Sequence, residues 1–145
     1  MEMNTLPLEG VKVVEMSTVV AGPTTARMLC SYGAEVIKVE GLDGDVMRTG
    51  GVHEYTPYDV DLNPLFTIHN SGKKFISLNY KTEEGKKILL DLINDADIFV
   101  TNVREKSLVR NGLDYETVKK NEPGTYLRPL QGLRRQGTVR QRSGL

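Results

Sequence analysis

The sequence predicts an α/β protein built on a doubly wound parallel sheet. Three observations predict it. Apolar runs rich in β-branched residues, such as residues 11–16 and 35–40, alternate with segments whose apolar residues recur at helical spacing. Turn residues separate the two kinds of segment. The links between consecutive strands are long enough for helical crossovers, which join parallel strands.

Four strands are predicted, at residues 11–16, 35–40, 75–78 and 98–100. Four helices are predicted around them: residues 23–32, a helix that follows Thr82, and two short helices at 106–110 and 115–120. Pro23 suits the first turn of the first helix, and Gly33 suits its stop. Thr82 is a predicted N-cap. The polar stretch from Gly41 to about Pro64 is predicted to be a long loop.

Composition narrows the class of protein. With 39% hydrophobic and 26% charged residues, the chain has the composition of a soluble globular domain. No apolar run approaches the roughly 20 residues that span a bilayer, and the first residues lack the pattern of a signal peptide, so we expect a cytoplasmic protein without a membrane partner. The chain has one cysteine, Cys30, and two histidines, His53 and His69, which are too few for a ligand cluster. We therefore predict a buried structural thiol and no metal site.

Ligands of an open parallel sheet bind at the carboxyl ends of its strands. Neither a dinucleotide-binding nor a P-loop fingerprint follows any predicted strand. Instead, small residues occupy 19–23, an amide, a glycine and two lysines occupy 70–74, and Asn102, Arg104 and Arg110 follow the last strand. Exposed backbone and scattered cations suit a polyphosphate that is positioned by charge. The alternative for each single lysine is a solvated surface charge.

Six blocks of sequence carry a resemblance to a known family: Leu8–Glu15, Ala21–Pro23, Gly33–Glu40, Asn70–Lys74, Ala96–Arg104 and Asn121–Gly124. Together they resemble the family III CoA-transferases, the group of the formyl-CoA and carnitine CoA-transferases. The stretch 96–104 and the acidic loop Asp59–Pro64 look most like the branch that acts on 2-hydroxyisocaproate or phenyllactate. The resemblance implies that residues 1–125 are the amino-terminal, incomplete part of a doubly wound Rossmann-like domain. It also implies transfer of CoA between an acyl-CoA and a small 2-hydroxy carboxylic acid.

The resemblance also implies a CoA site, with CoA or acyl-CoA as substrate and with neither a permanently bound cofactor nor a metal. Val20 and Ala21 would meet CoA through their backbone, Leu78 and Lys81 would lie by the adenine, and Asn102 and Arg110 would hold the pantetheine and phosphates. The predicted CoA-binding set is completed by Lys38, Asn70, Lys73 and Arg104. Gly41 stands where family members often carry an arginine, which leaves one phosphate contact in doubt.

Catalysis in this family depends on one aspartate that attacks the acyl-CoA, and family members form interlocked homodimers. No acidic residue in 1–125 matches that aspartate by motif, so the sequence nominates no catalytic residue and predicts an inactive 145-residue chain. The alternatives are a CoA- or nucleotide-binding domain without catalysis and, less favoured, a nucleic-acid-binding protein that uses a basic tail.

Residues 126–145 differ in composition from the rest. They hold five Arg, no Lys and no acid, whereas residues 1–125 hold 14 Lys and Arg against 19 acids. In a suitable back-translation, removing one base from the Tyr126 codon restores an apolar strand and a YGDKGP turn, which the resemblance implies there. We therefore expect a reading-frame error near Thr125, a disordered tail over 126–145, and an unpaired strand edge where the tail begins.

Overall fold

The structure is a computed structural model that describes residues 6–48, 63–121 and 126–129. Within these residues the strands form one five-stranded parallel sheet in the order β3-β2-β1-β4-β5. The strands are β1 (Lys12–Met16), β2 (Glu35–Glu40), β3 (Lys74–Ser77), β4 (Ile98–Thr101) and β5 (Tyr126–Pro129). The helices are α1 (Ala21–Ser31), α2 (Pro64–Asn70), α3 (Glu83–Asn94), α4 (Glu105–Asn111) and α5 (Tyr115–Asn121), and a short 3₁₀ helix covers Val46–Arg48.

Helices cover both faces of the sheet, because successive side chains of a strand point to opposite sides. On one face α1 packs over a small core; its buried members are Val13, Ala26, Ala34, Val36 and Val100. On the other face α3, α4 and α5 pack over a larger core, whose members include Val14, Met16, Val39, Leu89, Phe99, Leu108 and Val118. The α/β prediction with a doubly wound parallel sheet is therefore confirmed.

The predicted elements agree with the structure to within about two residues, with one helix missed. α1 begins at Ala21 rather than at residue 23, and Thr82 accepts from the Gly85 amide at 3.1 Å, as a helix N-cap does. The helix that was not predicted is α2, where the Asn63 side chain accepts from the backbone of residues 65 and 66 and proline follows at the first helical position. It begins at the end of the predicted loop, of which residues 49–62 lie outside the described residues.

The predicted tail needs a correction at its first four residues. Tyr126–Pro129 forms β5 and runs parallel to β4, with Ile98 opposite Tyr126 and Thr101 opposite Pro129. Pairing uses backbone groups, so the open edge of β4 can accept a segment whose composition differs from that of the rest of the chain. A proline costs least at the end of an edge strand. The expectation of an unpaired β4 edge is therefore wrong, and residues 130–145 lie outside the described residues.

Candidate functional site

The carboxyl edge of the sheet carries a cleft. From β1 the chain proceeds to β2 and β3 on one side and returns to β4 and β5 on the other, so the strand order reverses between β1 and β4. Ligands of such sheets bind at this switch point. A cleft of about 360 Å³ opens there on the α3 face, lined by Met16, Tyr80, Lys81, Val103, Ser107, Leu108, Arg110, Asn111 and Leu113.

The cleft joins an apolar floor to a cationic rim. Met16, Leu108 and Leu113 are at most 5% exposed and form the floor, whereas Lys81 and Arg110 are exposed. Within the described residues neither cation makes an ion pair, and no acid lines the cleft. Such a lining suits a ligand that carries both apolar surface and negative charge.

The structure brings Lys81 and Arg110 together at the cleft, whereas five other predicted residues do not line it. Leu78 is buried in the core that Tyr80 and Val103 also pack against. Val20 and Ala21 are exposed at the start of α1, and Arg104 is exposed where α4 begins. The Asn102 side chain is engaged with the loop after β1, where its Oδ1 accepts from the Thr18 amide at 3.1 Å and its Nδ2 donates to the Thr18 carbonyl at 2.7 Å.

Beneath α1, on the opposite face of the sheet, four charged side chains form a buried charge cluster. Its members are Glu15, Lys38, Asp45 and Lys73, and their side chains are at most 1% exposed. Glu15 stands between the two lysines, with Oε1 2.8 Å from Lys38 Nζ and Oε2 2.6 Å from Lys73 Nζ. Lys38 Nζ also lies 3.0 Å from Asp45 Oδ2. Two acids and two bases make the cluster formally neutral.

The ammonium groups of both lysines face oxygens of the protein, and Lys73 has no donor left for a ligand. Lys73 donates to Glu15, to the Pro23 carbonyl at 2.8 Å and to Asn70 Oδ1 at 2.8 Å, which uses its three N–H groups. Lys38 is surrounded by oxygens of Glu15, Ser17 and Asp45. Burial lowers the pKa of Lys73, and the carboxylate of Glu15 opposes that shift.

Three residues predicted to bind CoA, Lys38, Lys73 and Asn70, have polar atoms that contact protein groups inside the molecule. The alternative of a solvated surface charge is wrong for the two lysines, because both are buried. A sequence signal for the cluster did exist, since Glu15 and Lys38 interrupt apolar strands and stand opposite each other in the register of β1 and β2. Charged side chains on both strands of a buried pair indicate partners for each other.

Two further predictions concern thiol and metal chemistry. Cys30 is half-buried, and its thiol lies 3.2 Å from the Gly72 carbonyl. Over the described ranges, no group of three or more His, Cys, Asp or Glu side chains is placed to hold a metal ion. In the same ranges no helix is long and apolar enough to cross a membrane.

An open parallel sheet with a cation-rimmed cleft at its switch point is typical of nucleotide- and coenzyme-binding proteins. The family model described as CoA-transferase family III matches residues 8–145, and the chain belongs to that family. The match runs beyond Gly124, where the motif resemblance ended, and includes the Arg-rich stretch.

Two curated relatives and one solved structure are similar over nearly the whole chain. The (R)-2-hydroxy-4-methylpentanoate CoA-transferase of Clostridioides difficile is 43% identical over 94% of this chain and 34% of its own length. The cinnamoyl-CoA:phenyllactate CoA-transferase of Clostridium sporogenes is 42% identical over 94% of this chain and 33% of its own length. The crystal structure of a CAIB/BAIF family protein from Brucella suis is 34% identical over 97% of this chain and 37% of its own, with a TM-score of 0.87. The chain thus spans about a third of these relatives.

Proposed function

We propose that this chain is the acyl-CoA-binding part of a CoA-transferase that moves CoA between an acyl-CoA and a 2-hydroxy carboxylic acid. The cleft carries the proposal, because its two exposed cations and apolar floor suit a coenzyme with phosphates at one end and an uncharged arm at the other. The names of the two curated relatives support the acid class, since both act on 2-hydroxy acids.

In this proposal the cations of the cleft hold the phosphates. Lys81 stands at the start of the turn into α3, and Arg110 stands in the last turn of α4, so two separate elements offer charge to one ligand. Charge-assisted hydrogen bonds to phosphate oxygens are among the stronger polar contacts in proteins. The Tyr80 ring offers apolar surface beside Lys81 for the adenine, and Leu78 belongs to the buried core against which Tyr80 packs.

The pantetheine arm would then run along the floor toward Met16 and Val103, where β1 and β4 end. At that point the loop after β1 leads into α1, and Val20 and Ala21 at its start are exposed. Their carbonyls accept from the Thr24 amide and the Thr25 hydroxyl, so an amide-bearing arm would meet their N–H groups. Gly22 lets the first turn of α1 lie tightly against Ser17, because a Cβ there would collide with the Ser17 side chain.

The reaction needs a nucleophilic carboxylate that forms an anhydride with the acyl group. Among the described residues, none that lines the cleft is acidic, and Glu15 and Asp45 are held in the buried charge cluster. We propose that the 145-residue chain binds CoA and does not catalyse transfer by itself. We propose as well that the protein has a cytoplasmic location, that the whole protein forms an interlocked homodimer, and that a frame error lies near Thr125. Sequencing the gene across the Thr125 codon tests the frame error.

Calorimetric titration of the chain with CoA tests the binding proposal. Lys81→Ala and Arg110→Ala are each expected to raise the Kd roughly tenfold, because each removes one charge-assisted contact. Lys106→Ala is the matched control, since Lys106 is exposed on α4 outside the cleft lining. Wild-type chain that binds no CoA would contradict the binding proposal. Transfer of CoA to 2-hydroxy-4-methylpentanoate above the level of a heat-killed sample would contradict the proposed lack of catalysis.

A further inference from the structure

The loop that joins β1 to α1 contains a strained residue. Val19 has a φ of 69°, and among the described residues it is the one non-glycine residue with positive φ. A β-branched side chain is especially unfavourable in this left-handed region, and such strain persists where the surroundings impose it. A glycine would adopt the same turn without that cost.

Side chains from three other parts of the fold hold this loop at consecutive residues. The Ser17 carbonyl accepts from Lys38 Nζ at 2.8 Å. Thr18 is held at both its amide and its carbonyl by Asn102. The Val19 amide donates to Asp45 Oδ1 at 3.3 Å. Four backbone groups of three successive residues are therefore fixed by side chains from β2, from the loop that follows it and from the end of β4.

The same cluster also holds the start of α1. Lys73 donates to the Pro23 carbonyl, and Glu15 accepts from Lys73, from Lys38 and from the Ser17 hydroxyl at 2.6 Å. The loop and the first turn of the helix are thus attached to one buried ionic unit. Removing any of its charges would leave a buried partner uncompensated, so the unit acts as a whole.

The loop of residues 17–20 lies next to residues that line the cleft. It begins after Met16, which lines the cleft, and it ends at Val20, which is 43% exposed. Asn102, which holds the loop, is followed by Val103, another residue of the cleft. Binding is tighter when the ordering cost has been met before the ligand arrives.

We propose that the buried charge cluster and Asn102 are positioning groups that hold the loop of residues 17–20, with Val19 in its strained form, ready for acyl-CoA. Lys38, Asp45 and Lys73 act on the ligand through the backbone of this loop and do not touch it. The inference rests on the proposed function, because CoA is taken as the ligand of the loop.

Val19→Gly is the first test. The glycine relieves the strain, so the melting temperature is expected to stay within a few degrees of wild type, while the freed loop is expected to raise the Kd for CoA about tenfold. A purely structural role for the strain would leave the Kd of the folded protein unchanged. Backbone amide exchange of Thr18 and Val19 gives a second readout, expected to be slow in wild type and faster in the variant.

Asp45→Asn is the second test, with Asp95→Asn as its matched control. Asp45→Asn removes the charge that faces Lys38 and weakens the bond to the Val19 amide, so both the Kd for CoA and the exchange rate of that amide are expected to rise. Asp95 forms an exposed ion pair with Lys12, which lies at the opposite end of β1 from the loop. Asp95→Asn is therefore expected to change neither the Kd for CoA nor the exchange rate of the Val19 amide. The double variant Val19→Gly, Asp45→Asn is expected to bind about as weakly as the weaker single variant, because both changes release the same loop.

The outcomes separate this inference from the proposed function. Wild-type chain that binds no CoA contradicts the proposed function and, with it, the ligand assigned to the loop. If the wild-type chain binds CoA and the Val19→Gly and Asp45→Asn variants bind it with the same Kd, this inference alone is contradicted. Fast exchange of the Thr18 and Val19 amides in wild type also contradicts it, whatever the affinity.

Discussion

Two pairs of cations lie near the carboxyl edge of the same sheet, on its two opposite faces. On the α1 face Lys38 and Lys73 are buried, and oxygens of the protein surround both ammonium groups. On the α3 face Lys81 and Arg110 are exposed at the rim of the cleft. A cation near a sheet edge can meet a ligand only when its donors remain free, and we propose that the buried pair serves the ligand by holding the loop.

The largest effect is expected when the buried charge cluster is disrupted. Glu15→Ala leaves Lys73 without its carboxylate and Lys38 with Asp45 alone, and loss of one partner in a buried ionic group costs about 3–5 kcal/mol. That is a large share of the ~5–15 kcal/mol that stabilises a domain. Urea unfolding followed by circular dichroism measures it.

The matched control for that variant is Glu35→Ala, which removes an exposed ion pair with Lys74. Exposed pairs contribute little because water and salt screen them, so its unfolding midpoint is expected to match wild type. Equal midpoints for Glu15→Ala and wild type would show that the buried charge cluster does not hold the fold.

A smaller effect is expected on the pH dependence of stability, where buried Lys73 and exposed Lys74 should differ. Burial lowers the pKa of Lys73 below its ordinary 10.5, so between the two values the unfolded chain binds more protons than the folded chain. The contribution of Lys73 to the free energy of unfolding therefore increases as pH rises from its folded-state pKa to 10.5. Below the folded-state pKa there is no such increase. The difference in stability between wild type and Lys73→Met should grow across the alkaline range. Lys74→Met, the exposed neighbour, controls for the loss of a lysine, and a flat difference for Lys73→Met would contradict the prediction.

The smallest effect is expected on the cleft side, at the start of α5. Asp114 accepts from the Thr117 amide at 3.2 Å and from its hydroxyl at 2.8 Å, an N-capping arrangement that also lowers the pKa of Asp114. Asp114→Ala is expected to cost about 1 kcal/mol of stability, whereas Asp114→Asn should cost less because it keeps an acceptor. Thermal melts of the two variants compare them, and equal losses would contradict the capping role.

The sequence predicted the strands and long helices because their apolar residues follow the periods of buried elements, as in β1, β2 and α3. It missed α2, because the helix begins at Pro64, at the end of a polar stretch that was predicted to be a loop. It also missed β5, because backbone pairing depends little on composition. Of the residues predicted to bind CoA, Lys81 and Arg110 line the cleft that the structure has. The burial of Lys38 and Lys73 was not predicted, although Glu15 and Lys38 interrupt apolar strands. A left-handed conformation at Val19 follows from no local preference.

The most direct test of the central claim is the affinity for CoA of two double variants. Lys81→Ala, Arg110→Ala removes the free cations of the cleft and is expected to weaken binding about a hundredfold while the melting temperature stays near that of wild type. Lys74→Ala, Lys106→Ala removes two exposed lysines outside the cleft lining and is expected to leave the Kd unchanged. Equal affinities for the two double variants, measured by calorimetry on folded protein, would contradict the account.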